Sequence, residues 1–393
     1  MVTFLLIIIF IIFIGLGLPD SILGSAWPAI YKDLNIARSS QGFITIITSV
    51  GTALASYFSA RLINKFGTGL VTLVSTLISA LALLGFSFSN SLWFFLLMSI
   101  PLGIGAGAID SALNNYVATR YKASQMNFLH AFYGVGVTAS PFIISLALGG
   151  AGGWRQGYRI IFYLMMGIFA VSLCALPLWK KVNKKYAEQN FTPITIGIKT
   201  MIKMPAVRIC WIVFFTTCAL EFTCGAWGAT YLVDSEGLSE ELGAMFITFY
   251  YAGITLGRLV SGFIAVKVKP VNILFSGCFI VGVALVLLIL PLPVWLKGAS
   301  LLLIGFGNGP TFPNLTHLTP KFFGADISQS ITGMNMVMCN LGICLAPPAF
   351  SLVAQYLNIK LFPLFLIAIF VVMVIFMFIY IKMPKQTSKD LNF

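Results

Sequence analysis

Three carboxylates stand where the chain is otherwise apolar. Of eleven acidic residues, Asp20, Asp110 and Glu221 fall well inside long hydrophobic stretches. A charge at membrane depth costs at least about 2.5–3.5 kcal/mol on insertion scales. A chain with only 9% charged residues has few to spare for such places. An acid there either ties helices together or exchanges a proton with a water-filled space. Asp110 has Asn114 one helical turn further on, on the same face. In the next apolar stretch Asn127, His130, Gly134 and Thr138 share a stripe, and His130 lies as far from the Arg120–Ser124 loop as Asp110 does. Burial disfavours the charged form of a carboxyl, and a protonated histidine beside it favours that form. A carboxyl held between those influences can load and release a proton as its surroundings dry and wet. The plainer role for His130 is packing.

The other two acids sit among small residues. Gly17, Asp20, Gly24 and Trp27 form one stripe, and Cys218, Glu221, Gly225 and Gly228 form another. Glycine beside an acid lets a ligand or a second helix come close. Trp27 and Trp227 can stack on the apolar face of a sugar ring, or serve as interfacial anchors. Asn314 and Asn340 place amides in later stretches, where they can bond a solute hydroxyl or a neighbouring helix. The chain has no metal-ligand cluster, no Ser/His/Asp order and no nucleotide motif. The spacings Gly103–Gly107 and Gly305–Gly309 are helix-packing patterns, not phosphate cradles, since no Lys-Ser follows them. An enzyme and a bound cofactor are therefore not expected. The seven cysteines all lie in apolar stretches without a CxxC and read as small core residues.

The elements that position these groups follow from hydropathy. The chain is 59% hydrophobic, and its mean hydropathy is +0.97. Apolar runs of about 20 residues, long enough to cross a bilayer as helices, recur along its length. They predict spans at 4–30, 40–62, 69–88, 92–119, 125–149, 157–179, 206–233, 241–265, 270–290, 295–319, 327–355 and 361–382. The first is read as a span rather than a cleaved leader, because no basic residue precedes Lys32 and the run is long. The net charge of +13 is explained by topology. With both termini on the cytoplasmic side of the plasma (inner) membrane, most Lys and Arg fall inside, among them Arg61, Lys65, Lys181, Lys199, Lys203, Lys267, Lys321 and Lys382. Anionic lipid, not nucleic acid, is the neighbour this implies. Arg258 lies inside the 241–265 span.

The chain also repeats itself at an offset of about 200 residues. Ala26-Trp27, Ala29 and Tyr31 match Ala226-Trp227, Ala229 and Tyr231, with Asp20 one residue out of register with Glu221. Gly51, Leu54, Ser59 and Lys65 match Gly253, Leu256, Ser261 and Lys267. Gly103, Gly105 and Gly107 match Gly305, Gly307 and Gly309, while Gly136 and Pro141 match Gly342 and Pro347. The expected organisation is an N-terminal six-helix bundle over 1–180, a basic cytoplasmic linker over 181–205, and a C-terminal six-helix bundle over 206–393.

An all-α polytopic membrane protein of twelve helices in two six-helix repeats resembles the major facilitator superfamily, in which a central cavity lies between the halves. The segment Asn64-Lys65-Phe66-Gly67 resembles a degenerate form of that superfamily's loop motif. Three segments resemble the fucose–proton symporter family more closely. They are Asp110-Ser111-Ala112-Leu113-Asn114-Asn115-Tyr116, Asn127-Phe128-Leu129-His130-Ala131-Phe132-Tyr133-Gly134, and Glu221 followed by Trp227 and Tyr231. This resemblance implies a monomeric, proton-coupled symporter of a sugar or similar small polar solute, working by alternating access. It assigns substrate binding and proton coupling to Asp20 and Asp110; the placement of the residues themselves adds His130 as a modulator and Glu221 as a group that shares the proton. Solute contacts would come from Asp20, Trp27, Asn114, Asn127, Tyr133, Glu221, Trp227, Asn314 and Asn340. The alternative is a proton-coupled efflux antiporter for drugs or amphipathic metabolites.

Overall fold

The computed structural model describes residues 2–121, 123–185, 196–265, 267–324 and 327–384. Among them every regular element is helical. The α-helices are α1 (Val2–Asp33), α2 (Ser40–Phe66), α3 (Thr68–Ser87), α4 (Leu92–Arg120), α5 (Ala123–Leu148), α6 (Gly153–Cys174), α7 (Leu176–Lys185) and α8 (Ile198–Lys203). They continue as α9 (Pro205–Glu236), α10 (Glu240–Ile264), α11 (Pro270–Ile289), α12 (Val294–Asn308), α13 (Thr311–Phe323), α14 (Ser328–Val353) and α15 (Phe362–Lys382).

Ten stretches of described residues are long and apolar enough to cross a membrane. The last of them, Ser330–Lys382, contains two helices, α14 and α15, separated by a π turn and a 3-10 turn. Helices α12 and α13 together make one further span, interrupted at Gly309-Pro310. Pro310 has no N–H to give the carbonyl one turn back, and its ring crowds that carbonyl, so the ladder breaks there. The result is the twelve spans that hydropathy predicts. One boundary differs clearly from expectation. The sixth span stops at Cys174, because Pro177 suits the first turn of a new helix better than the interior of an old one. That new helix, α7, is amphipathic and buries Trp179 and Val182. Of the linker expected at 181–205, residues 186–195 lie outside the described residues, and the remainder includes α8.

The chain forms two compact units. The first comprises Met1–Gln189, Gly225–Ala252 and Ser351–Lys360, and the second Asn190–Cys224, Gly253–Phe350 and Leu361–Phe393. In each, helices meet where small residues let backbones touch, which is how helices associate when lipid removes the hydrophobic drive. In the first unit a Cβ on Gly136 would strike the carbonyl of Ile14, one on Gly107 that of Thr52, and one on Gly105 the backbone of Ser75 and Ser79. In the second, Gly342 meets the carbonyl of Phe215, Gly309 that of Ile254, and Gly307 the backbone of Gly277 and Val281. These are the same contacts made twice, between residues that match under the repeat. The contact also settles the register of the acids. Asp20 follows Ile14, and Glu221 follows Phe215, at the same interval, so the two acids are equivalent and the one-residue slip read from sequence disappears.

Large apolar side chains such as Phe43, Leu54, Val371 and Ile375 point outward, as a lipid-facing surface requires. One glycine is held by its backbone rather than its neighbours. Gly67 ends α2 at φ 81°, a left-handed conformation in which other residues are strained, and this accounts for the glycine of Asn64-Lys65-Phe66-Gly67. The close contacts are expected to be intolerant. Gly107→Leu should cost about 3 kcal/mol, because Thr52 presents backbone that cannot swing aside. Gly262→Ala, where nothing lies within 4 Å, is the control. Thermal unfolding in detergent checks this: equal Tm values for the two variants would refute it.

Candidate functional site

Helix α1 brings the first acid into position. Its face carries Gly17, which lies against the backbone of Tyr133 and Val137 on α5, and Gly24, which lies against Gly225 and Ala226 of α9. Ser21 Oγ donates to Val137 O at 2.8 Å and Ser140 Oγ to Leu18 O at 2.5 Å, fixing the rotation of α1 on α5. Asp20 therefore points along the seam between these helices. It is exposed despite its place mid-helix, and its Oδ2 accepts a hydrogen bond from Tyr133 Oη at 2.6 Å. On α4, Asp110 is half-buried, and its Oδ1 accepts from Asn114 Nδ2 at 2.7 Å. Both acids belong to the first unit, and the hydrogen-bond partners of both are neutral groups.

The third acid is in different company. Glu221 on α9 is buried and paired with Arg258 of α10, whose Nη2 lies 3.0 Å from Oε1 and 3.3 Å from Oε2. The same guanidinium donates through Nε to Gly309 O at 3.2 Å, at the break between α12 and α13. Sequence reasoning placed Arg258 inside a span without giving it a partner. This mid-span cation was the signal that could have linked it to a mid-span acid, since a buried charge is retained only when paired.

The remaining candidates divide. Tyr133 is half-buried and belongs to the Asp20 group. His130 is half-buried and stands edge-on to Phe13, with ring centroids 6.0 Å apart. Asn314 is buried and donates to Ser261 Oγ at 3.0 Å and to Pro310 O at 2.8 Å, a structural use of its amide. Asn340 is exposed on α14. Asn127 lies on α5 but its side chain falls outside those described. Trp27 and Trp227 are completely buried, and Trp27 Nε1 donates to Arg38 O at 2.9 Å, so in this structure neither ring presents a face to a solute.

A charged cluster that sequence reasoning did not single out joins four elements of the first unit. Asp234, near the end of α9, accepts from Tyr31 Oη at 2.7 and 2.8 Å and pairs with Arg38 Nε at 3.1 Å. Lys32 lies 3.9 Å from Asp234 and 3.2 Å from Glu240 at the start of α10. Beneath it Gln41 Nε2 donates to Ala226 O at 2.9 Å. Members this far apart in sequence leave no local pattern.

The Major Facilitator Superfamily profile matches residues 5–347. The chain belongs to the Major Facilitator Superfamily. A crystal structure of a mutant of the nucleoside transporter NupG superposes on this facilitator with a TM-score of 0.76, covering 95% of this chain and 98% of that one at 14% identity, and so shows the shared fold. Bypass of stop codon protein 6 from Saccharomyces cerevisiae is 23% identical over 277 residues, covering 65% of this chain and 55% of that protein. This facilitator thus spans about half the length of that relative. The glucose/mannose transporter GlcP of Bacillus subtilis is 20% identical over 272 residues, covering 68% of this chain and 67% of GlcP. Membership and the apolar helices make this chain a multi-pass membrane protein.

Proposed function

We propose that this facilitator is a proton-coupled symporter of a sugar or a similar small, uncharged polar solute, working by alternating access. The observation that carries the reading is the pair Asp20 and Asp110, two carboxylates within spans whose hydrogen-bond partners are neutral. Acids so placed are costly unless they are used. In this reading Asp110 carries the proton and Asp20 shares it, with His130 modulating the exchange. Tyr133, Asn114, Asn127 and Asn340 offer hydroxyl and amide contacts to the solute. Trp27, Trp227 and Asn314 support helix packing in the state described and take part in solute binding only if they are uncovered as the protein changes state.

The distribution of Lys and Arg supports both termini on the cytoplasmic side of a plasma membrane. The protein is proposed to act as a monomer. The relatives are named as sugar, carboxylate and multidrug proteins, and the glucose/mannose transporter among them makes hexoses one first set of solutes to try. The test is uptake of radiolabelled hexoses, deoxyhexoses and disaccharides into proteoliposomes, with and without an inward proton gradient. Accumulation above equilibrium only with the gradient is the expected result. Absence of uptake by folded, inserted protein would turn the reading towards export of amphipathic compounds.

A further inference from the structure

Two of the seven cysteines meet inside the second unit. Cys218 lies on α9 and Cys339 on α14, and both are buried free thiols. The repeated helix contact accounts for the meeting. Ile14 and Phe215 are equivalent, as are Gly136 and Gly342. The same two offsets make Cys218 the counterpart of Gly17, and Cys339 that of Tyr133. In the first unit a Cβ on Gly17 would strike the carbonyl of Tyr133, so the two positions face each other at contact distance. In the second unit each position carries a thiol. Cys339 Sγ donates to Phe214 O at 3.7 Å. Phe214 precedes Cys218 by one turn, and its carbonyl is the one that the amide of Cys218 meets in the helix ladder. The sulfur of Cys339 is thus seated over the turn that ends at Cys218, and the two thiols hydrogen-bond. Cys210 and Cys278 have other company, Asn335 and Met377 respectively.

A disulfide joins residues whose Cα atoms are about 4.4–6.8 Å apart. Helices packed glycine against carbonyl, as Gly342 is on Phe215, come this close where they touch. We propose that Cys218 and Cys339 are an oxidisable pair, which hydrogen peroxide converts to a disulfide that staples α9 to α14. One thiol attacks the peroxide, the O–O bond breaks, and a sulfenic acid and water form. The second thiol attacks that sulfur, the S–O bond breaks, and a second water leaves with the remaining thiol proton. The two thiols lose two electrons, and peroxide is reduced to two waters. Peroxide is neutral and nearly as small as water, so it reaches thiols that bulky reagents do not. The disulfide closes the long loop from α9 to α14, which restrains the unfolded chain and stabilises the folded one. None of this depends on which solute is carried or on what drives it.

The experiment exposes the reduced, detergent-purified full chain to hydrogen peroxide and then alkylates it in dodecyl sulfate. Wild type, C218A and C339A are compared by mass spectrometry and by thermal unfolding. The expected result is a link, reversed by dithiothreitol, between the peptides holding Cys218 and Cys339. The wild type should lose two more alkylatable thiols than either variant. Peroxide should raise the Tm of the wild type and not those of the variants. Alanine is expected to be accepted at 218, since the first repeat holds glycine there. If one variant does not fold, the other is the control, and if neither folds, the peptide link in the wild type decides. Absence of the link in folded wild type, at a peroxide dose that oxidises the exposed Cys174, would overturn the proposal. So would a link that forms only after unfolding, or one that joins other cysteines instead. A link that leaves the Tm unchanged would overturn the staple.

Discussion

Asp110→Asn is expected to abolish solute accumulation while leaving downhill movement intact. One proton crossing one pH unit supplies about 1.4 kcal/mol. With one proton per solute, a gradient of about two pH units supports about a 100-fold accumulation, and the variant should bring that ratio to about one. The asparagine preserves shape and can still meet Asn114 across the helical turn, so the fold should survive. Counterflow, in which labelled solute enters by exchange with unlabelled solute inside, requires no net proton movement and should remain within a few-fold of wild type. Asp20→Asn should weaken both activities, since Asp20 is the acid that is exposed and bonded to Tyr133. Accumulation by Asp110→Asn at the wild-type ratio would remove Asp110 from the proton path. Loss of counterflow together with accumulation would mean that Asp110 binds the solute.

The second large effect is expected at Asp234. Its side chain is only 8% exposed, yet it gathers Tyr31, Arg38 and the more distant Lys32. Removing it leaves Arg38 and Lys32, which are 29% and 45% exposed and keep part of their hydration, so the loss should be about 1–2 kcal/mol. Here that cost falls on the contact between the ends of α1 and α2 and those of α9 and α10. Gln41, donating to Ala226 O, and the approach of Gly24 to Gly225 hold the same seam. Asp234→Ala should therefore open this end of the molecule. A loss of about 1.4 kcal/mol shifts a two-state equilibrium about tenfold. Ser25 lies fully buried under the seam and makes a suitable reporter. In a background without the native cysteines, Ser25→Cys should react with a membrane-impermeant maleimide about tenfold faster when Asp234→Ala is added. An unchanged rate would show that the cluster does not hold the seam closed.

The parts of this facilitator that are one-dimensional were legible from its residues. Span positions depend on the summed cost of moving consecutive side chains from water to lipid, and hydropathy along the chain records that sum directly. The repeat was visible because its glycines sit where helices touch, and a missing side chain at such a place shows in the sequence itself. Asp110 and Asn114 could be paired in advance, since one helical turn fixes which residues share a face. The mid-span acids stood out for the same local reason, the expense of each charge where it lies.

What only the tertiary structure decided is how each helix is rotated and at what height it meets its neighbours. That depends on contacts such as Gly136 with Ile14 and Gly342 with Phe215, which no single helix contains. Those contacts put Asp20 beside Tyr133 and Glu221 beside Arg258, so two acids equivalent by repeat ended with different electrostatic partners. They also buried Trp27 and Trp227, whose sequence suits a solute platform equally well. The cluster of Tyr31, Lys32, Arg38, Asp234 and Glu240 assembled from residues more than 190 positions apart. Hydropathy is local and survives in the sequence. Partner choice is a property of packed surfaces, and it exists only once the helices are in place.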